Sequence, residues 1–250
     1  MFRITSGKSL YNILWALVLW IAFIPGLYSQ TVESINVEKI PQKKVRKYIL
    51  LRKIDRMTNF DEIQPSWKTG VKETDFRVTE KKFRVNGSPS EVWNCYHNAS
   101  PLRTWNGHTY KLGLMLLKNS NSVLYTSNTS FPSIEVGQVF FLNLKLLFRL
   151  VNLPVAFEVI NVDERNKTLE ISYLDDNKSL GKQTITFTDY GNGRTLIVHR
   201  TYFRSDSWFR DVFLYPHFHK LFIKEFHRNM MNIYKNSQSP DVSVKRLVVN

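Results

Sequence analysis

The longest amphipathic segment of this chain stands near its end, from Ser205 to Lys235. Apolar and aromatic residues recur there at steps of three and four positions, which predicts a helix of roughly 28 residues. Ser205 or Ser207 can cap it, and Pro216 interrupts it near its start. The stripe consists of Trp208, Val212, Tyr215, His219, Phe222, Phe226, Met230 and Ile233. A stripe of that length has to be buried, so the rest of the chain must supply a matching apolar surface.

A run of short strands separated by polar turns precedes this helix. In QVFFLNLKLLF, alternate residues from Phe140 to Phe148 are apolar, whereas Asn143, Lys145 and Arg149 face the other way. PVAFEVINV, TLEISYL, KQTITFT and RTLIVHRTYF follow, separated by the turns DERNK, DDNKS and DYGNG. This succession is typical of an antiparallel meander.

Ahead of the meander, a strand passes directly into two short helices. The strand, DFRVTEKKFRVNG at 75–87, ends in turn residues. Ser88 is the expected helix cap, and Glu91 follows it at the spacing of a capping box. This helix carries Trp93, and a second short helix or turn carries Trp105. The tight turn is expected to place Trp93 over one end of the sheet.

The sequence resembles the helix-grip superfamily, also called START-like or SRPBCC. The resemblance is carried by SPSEVWNCY and by GNGRTLIVHRTYFRSDSWFRDVFLYPHFHKLF. VGQVFFL, PVAFEVINVDE and LEISYLDDNKSLGKQTITF are similar to an uncharacterised family within it. The resemblance extends from Asp75 to Tyr234. It implies an α+β fold in which a curved antiparallel sheet wraps around a long C-terminal helix, with two short helices after the first strand. Aromatic residues on both surfaces would then line a cavity.

The first 29 residues have the features of a secretory signal peptide. Arg3 and Lys8 precede an apolar run from Leu10 to Ile24, and Ser29 is suitable before a cleavage site. A membrane span needs about 20 apolar residues, so this run is short for one. We therefore expect an exported chain, secreted or in a bacterial periplasm. The alternative is an inner-membrane anchor formed by residues 10–28.

Residues 30–70 are expected to form a basic extension before a domain of residues 71–235 and a tail of residues 236–250. Within the extension, residues 42–57 contain seven basic positions among apolar residues at helical spacing, which indicates an amphipathic helix. Its apolar stripe consists of Val45, Tyr48, Ile49, Leu51 and Ile54. Acidic residues such as Asp55 interrupt the positive run. They favour a helix that packs on the domain with its cations in solvent. The alternative is a helix that lies on an anionic membrane surface.

The expected function is to bind or carry a hydrophobic or amphipathic small molecule between the sheet and the last helix. Aromatic residues make up 14% of the chain, and no catalytic motif is present. The candidate ligand-binding residues are Trp93, Trp105, Phe140, Leu142, Phe157, Tyr173, Arg200, Tyr202, Tyr215, His219 and Phe222. Arg200 would hold an anionic ligand group or form an ion pair with a strand neighbour.

Two other functions remain open at this point. One is a cyclase- or hydrolase-type enzyme that uses the same cavity, with Glu158 as general base beside His199 and Arg200. Alternation along PVAFEVINV leaves open which face of the strand Glu158 occupies. The other is a membrane-apposed interaction module.

No cofactor or metal site is expected. Cys95 is the only cysteine, which excludes an intramolecular disulfide and a cysteine metal site. His217 and His219 lie on roughly opposite sides of the predicted helix. The formal net charge of +14 suits an anionic partner, but export argues against nucleic acid.

Overall fold

The computed structural model describes residues 33–146, 150–175, 177, 179–205, 207 and 215–238, with side chains from residue 218 onward in the last range. The predicted signal peptide, the helix positions Trp208 and Val212, and the chain beyond Gln238 lie outside the described residues. The helices are α1 (Lys43–Leu51), α2 (Pro89–Asn98), α3 (Pro101–Thr104) and α4 (Tyr215–Gln238). The strands are β1 (Arg77–Asn86), β2 (Tyr110–Leu117), β3 (Ser122–Tyr125), β4 (Gln138–Leu146), β5 (Val151–Asp163), β6 (Thr168–Tyr173), β7 (Ser179–Gly191) and β8 (Arg194–Ser205). Within the described ranges, no helix has the length and apolar content of a membrane span.

These strands form one curved antiparallel sheet in the order β1-β8-β7-β6-β5-β4-β2-β3. From β4 to β8 each strand pairs with its neighbours in sequence, as a meander does. β1 pairs with β8, so the first and last strands of the described chain lie side by side. Two short helices follow β1 and a long helix follows β8. The α+β helix-grip fold expected from the sequence is therefore confirmed.

β2 is a strand that the sequence analysis did not identify. Its run KLGLMLL is apolar at successive positions because both of its faces are covered, with Leu112 and Met115 buried on one side and Leu114 and Leu116 on the other. A bulge between Leu112 and Leu114 shifts its register with β4. A continuously apolar run shows no alternation by which a strand can be recognised.

The sheet buries a separate apolar cluster on each of its two faces. The helix face packs against α2, α3 and α4, and its cluster includes Phe140, Phe157, Ile185 and Ile197. The outer face is covered by residues 33–66, and its cluster includes Leu114, Leu116, Val139 and Phe141. Strand alternation therefore decides, residue by residue, which of the two clusters a side chain joins.

The basic extension is thus an integral layer of the fold. Val45 and Ile49 of α1 are fully buried on the outer face, as is Phe60 farther along the extension. A Cβ added at Gly113 would lie 2.8 Å from a methyl carbon of Val45, so α1 approaches the β2 backbone closely. Sequence reasoning placed Leu51 on the same apolar stripe, which was wrong. Leu51 is the last helical residue and is 70% exposed.

The predicted turn and capping box at the start of α2 are present. The Ser88 hydroxyl accepts a hydrogen bond from the Glu91 backbone amide, and the Glu91 carboxylate accepts one from the Ser88 amide at 2.8 Å. Gly87 precedes them with φ of +141°. The helix so begun carries Trp93 onto the helix face of the sheet, where its ring meets the edge of Phe187 at a centroid distance of 5.5 Å. Trp93 is 3% exposed and belongs to the core.

Candidate functional site

An aromatic cluster occupies the middle of the space between the sheet and α4. Trp105 stacks on Phe226 with ring centroids 4.9 Å apart, and it meets the edge of Phe157 at 5.1 Å. Phe140 lies 5.6 Å from Phe157, and Phe222 stacks on Trp105 at 6.1 Å. The structure thus brings together the predicted residues Trp105, Phe140, Phe157 and Phe222, with Leu142 buried in the same cluster. These rings contact one another, so in this region they form packed core.

A chain of buried polar side chains crosses the same space beside this cluster, where the ring centroids of Tyr96 and His227 lie 6.0 and 5.0 Å from that of Phe226. It joins Tyr96 on α2, His227 on α4, His199 on β8, Gln183 on β7 and Tyr173 on β6. The Tyr96 hydroxyl lies 2.8 Å from His227 Nδ1, and His227 Nε2 lies 2.9 Å from His199 Nδ1. His199 Nε2 lies 2.9 Å from Gln183 Oε1, and Gln183 Nε2 donates to the Tyr173 hydroxyl at 3.3 Å. A polar network of this length inside an apolar interior specifies one arrangement of the elements that it connects.

The amide of Gln183 sets the direction of these hydrogen bonds. Its Nε2 donates to Tyr173, so its Oε1 must accept from His199 Nε2. His199 Nδ1 then accepts the proton of His227 Nε2, and His227 Nδ1 accepts the proton of the Tyr96 hydroxyl. Each histidine therefore donates once and accepts once, as a neutral imidazole does.

The histidines of this region are held in the neutral form. Burial lowers the pKa of His227 to about 3, and it lowers that of His219 to about 3 as well. Burial, with the positive charges that His227 and His219 would carry, holds the pKa of His199 well below its usual value. His219 lies against His199 with ring centroids 6.4 Å apart. At neutral pH these groups offer hydrogen bonds but no positive charge.

The hydroxyl of Thr201 lies next to this row of hydrogen-bonded side chains. Thr201 is the register partner of Gln183 across the β7–β8 pair and lies two residues from His199, so all three side chains share the helix face. Thr201 is fully buried, and its hydroxyl has no hydrogen-bond partner within the described part of the chain. A buried hydroxyl without a partner is destabilising by about 1–3 kcal/mol. Such a group is an available donor and acceptor for a bound molecule.

Two predicted ligand residues, Arg200 and Tyr202, lie on the outer face of the sheet instead. Sequence reasoning grouped them correctly with each other but assigned the group to the wrong face. On β8 the odd-numbered Ile197 and His199 occupy the helix face, so alternation turns both predicted residues away from it. Arg200 donates to Glu80 on β1 at 2.7 Å, and Tyr202 packs against Trp67 at 5.6 Å. The ion pair with a strand neighbour, the alternative considered for Arg200, is what forms.

Glu158, the candidate general base, also lies on the outer face. Its neighbours Phe157 and Val159 belong to the cluster on the helix face, so Glu158 points the opposite way. There it pairs with Lys118. Of the three residues proposed for a cyclase or hydrolase, only His199 reaches the helix face. The predicted catalytic constellation is therefore not formed.

The remaining chemical candidates carry little reactivity. Burial raises the pKa of the Cys95 thiol to about 11, so it stays protonated at neutral pH and is a poor nucleophile. The side chains of Tyr215 and His217 lie outside the described residues. Within those residues, no group of histidine, cysteine and carboxylate side chains is arranged to hold a metal ion.

Sequence reasoning missed three members of the polar chain: Tyr96, Gln183 and His227. Gln183 had a usable signal, since it alternates with Ile185 and Phe187 on an otherwise apolar strand face. His227 had another, since it lies eight residues after His219, a spacing that returns to a similar side of a helix. Tyr96 could not be distinguished from an ordinary core tyrosine, because its partner lies 131 residues away in sequence.

No protein-family model and no curated protein matches the sequence. Solved structures similar to the chain include norcoclaurine synthase from Thalictrum flavum, at 13% identity and a TM-score of 0.49, over 65% of this chain and 96% of that one. They also include a START superfamily protein from Mycobacterium smegmatis, at 8% identity and a TM-score of 0.45, over 64% of this chain and 99% of that one. A conserved protein from Geobacillus kaustophilus is similar at 10% identity and a TM-score of 0.45, over 64% of this chain and 97% of that one. The START-like superfamily named from the sequence is thus represented among the structures that this chain is similar to.

Proposed function

We propose that this chain binds a hydrophobic or amphipathic small molecule at the end of the helix face near His219, and that the polar group of the molecule is uncharged. The observation that carries the proposal is the fully buried Thr201 hydroxyl. It lies next to Gln183 and His199 and has no hydrogen-bond partner in the described structure. Buried polar groups are nearly always hydrogen-bonded. A ligand with one hydrogen-bond donor or acceptor at this position would supply the missing partner of the Thr201 hydroxyl.

The electrostatics of the two strands favour an uncharged ligand group. The histidines facing the site are neutral, for the reasons given above. The cations along β7 and β8 occupy even-numbered positions on the outer face, where Arg200 pairs with Glu80 and Lys182 pairs with Glu170. A carboxylate or phosphate bound near Thr201 would lose its hydration without gaining an ion pair from these residues. An alcohol, ketone or amide on an apolar body suits this environment.

We further propose that the chain acts as an exported carrier rather than an enzyme. The support for export is the sequence of residues 1–29, with a basic start and an apolar run. Mass spectrometry of the protein recovered from the expressing cell tests this directly. A mature chain that begins at Gln30 is expected. A chain that retains residues 10–28 would instead support the anchor.

Native mass spectrometry of the same material tests the binding function. A retained mass of lipid size is expected. Displacement of the neutral fluorophore N-phenyl-1-naphthylamine extends the test to a ligand lost during purification, and the anionic 1-anilinonaphthalene-8-sulfonate provides the comparison of charge. Preference for the neutral probe is expected. Absence of both a retained ligand and probe binding would overturn the proposal.

Two threonine variants locate the site within the fold. Thr201→Val removes the hydroxyl at nearly constant volume. We expect it to weaken retention of a polar ligand about fivefold to tenfold, the effect of about one neutral hydrogen bond. Thr186→Val makes the same change on β7 at an even-numbered, outer-face position and serves as the matched control. If both variants bind as the parent does, the ligand site is not at Thr201.

A further inference from the structure

The exposed face of α1 combines lysines with leucines. Lys43, Lys44 and Lys47 are exposed, and Leu50 and Leu51 follow them at helical spacing with exposures of 48% and 70%. The apolar side of the same helix is buried on the sheet. The stripe that sequence reasoning offered to a membrane is therefore occupied by the protein itself. Any external contact of α1 has to use this second face.

A groove continues this surface onto the start of β5. It has a volume of about 400 Å³ and is lined by Lys44, Lys47, Tyr48, Leu51, Arg52 and Pro154. The turn residue before this strand and the first residue of the strand are further exposed apolar residues: Leu150 is 84% exposed and Val151 42% exposed. We call the exposed residues of α1, together with Leu150 and the start of β5 up to Pro154, the α1–β5 surface. It presents apolar side chains next to a cluster of cations.

Three lysines of this surface have no carboxylate partner among the described residues. In the described part of the chain, no ion pair within 4.0 Å involves Lys43, Lys44 or Lys47. Arg46, which pairs with Glu38, is less exposed than these lysines. A surface of this kind attracts anions in solution. Transfer of its leucine side chains out of water is also favourable in free energy.

We propose that the α1–β5 surface docks on an anionic phospholipid membrane. The lysines would contact headgroup phosphates, and Leu50 and Leu51 would enter the boundary between headgroups and acyl chains, the arrangement by which amphipathic helices bind membranes. Charge complementarity explains the cations, and the exposed leucines favour a lipid surface over nucleic acid. Contacts to nucleic acid backbones use cations and polar groups and do not need aliphatic side chains.

Vesicle flotation tests this docking with the protein as isolated from the expressing cell. The vesicles contain phosphatidylcholine alone or phosphatidylcholine with phosphatidylglycerol. Stronger binding to the anionic vesicles is expected, and it should weaken as salt is added. An apolar leader, if retained, would contribute to both vesicle types, so the difference between them is the quantity that matters. Equal binding to both vesicle types, or no binding to either, would overturn the proposal.

Paired variants assign the effect to named side chains. Lys44→Glu with Lys47→Glu should weaken binding to anionic vesicles by at least about twenty-five-fold, since each of the two cations near such a surface contributes about fivefold. Leu50→Ser with Leu51→Ser should weaken it while preserving its salt dependence. Lys220→Glu with Lys224→Glu, and Leu221→Ser, make the same changes on exposed positions of α4 and should have little effect. Loss that is equal in the α1 and α4 variants would contradict the assignment.

Binding of nucleic acid by the same cations is the competing explanation, and a gel-shift measurement tests it. If the same protein shifts duplex DNA or RNA in a gel at moderate salt and does not float with vesicles, the cations of α1 serve nucleic acid and the lipid proposal is wrong. Circular dichroism of each variant shows whether its fold is intact, and a variant that has lost its fold is replaced by the corresponding single substitution.

Discussion

The Lys118 ammonium group lies 2.8 Å from both carboxylate oxygens of Glu158, beneath the layer formed by residues 33–66. It also donates to the backbone carbonyl of Ile63, at 2.5 Å. Both side chains are more than nine-tenths buried. Burial raises the pKa of Glu158, while the hydrogen bond and positive charge of Lys118 oppose this change. The pair thus joins β5 and the end of β2 to the N-terminal layer that covers them.

Removal of one member of this pair should cost far more stability than removal of both. We expect Lys118→Met to lower the free energy of unfolding by about 3–5 kcal/mol, because it leaves a buried carboxylate without its partner. Lys118→Met combined with Glu158→Leu should recover most of that loss. Urea unfolding measures both, and Arg200→Met, which breaks an exposed pair, should cost less than about 1 kcal/mol. If single and double variants prove equally unstable, the charge itself is not what matters.

Acid should destabilise the domain between the unfolded and folded pKa values of its buried histidines. The folded-state pKa values of His219 and His227 lie near 3, well below the ordinary value of 6.5. A lowered folded-state pKa stabilises the protein above pH 6.5, and this stabilisation is lost progressively as the pH falls toward 3. Each such histidine contributes a slope of about 1.4 kcal/mol per pH unit in that window. Urea unfolding measured from pH 7 to pH 4 gives the slope.

Two histidine variants separate this effect from general acid sensitivity. His219→Phe removes one titrating group. It should reduce the slope of the unfolding free energy in that window by about 1.4 kcal/mol per pH unit. His227→Phe removes the other and should reduce the slope by a similar amount. If His219→Phe leaves the slope unchanged, that residue is not held neutral in the folded protein.

Gly87 should tolerate no side chain, for a reason beyond its backbone conformation. A Cβ there would lie 2.1 Å from the Tyr234 hydroxyl oxygen of α4. We expect Gly87→Ala to lower the unfolding free energy by more than about 2 kcal/mol, the sum of strain and overpacking. Gly193→Ala is the matched control, since Gly193 also has positive φ but nothing within 4 Å of the added carbon. Tyr234→Phe should partly rescue Gly87→Ala by removing the nearest atom.

The N-terminal layer should behave as core rather than as a dispensable extension. Phe60 is fully buried on the outer face, and its truncation in Phe60→Ala should cost about 3–5 kcal/mol. Leu51→Ala, in the same layer but on a side chain 70% exposed, should change stability by less than about 0.5 kcal/mol. Thermal unfolding compares the two. A small effect of Phe60→Ala would show that the layer contributes little to the stability of the sheet.

Local periodicity was sufficient to predict much of the architecture. The capping box at Ser88, the alternation in β4 and the stripe of α4 are properties of neighbouring residues, which share a strand or a helix turn. The sequence-level prediction failed where several apolar residues are adjacent, as in β2. It also left the face of Glu158 undecided, because both faces of β5 are buried and either phase appears apolar.

By itself, the sequence determined the capped helix after β1, the meander from β4 to β8 and the long last helix, since caps, turns and apolar spacing are local and each favours one conformation. Only the tertiary structure decided which face of the sheet each residue occupies. His199 and Arg200 are adjacent in sequence, yet one joins the buried chain with His227 and the other pairs with Glu80 on the outer face. That choice depends on which layer covers each face, here α4 on one and residues 33–66 on the other. It is made by contacts between residues far apart in the chain, which no local pattern contains.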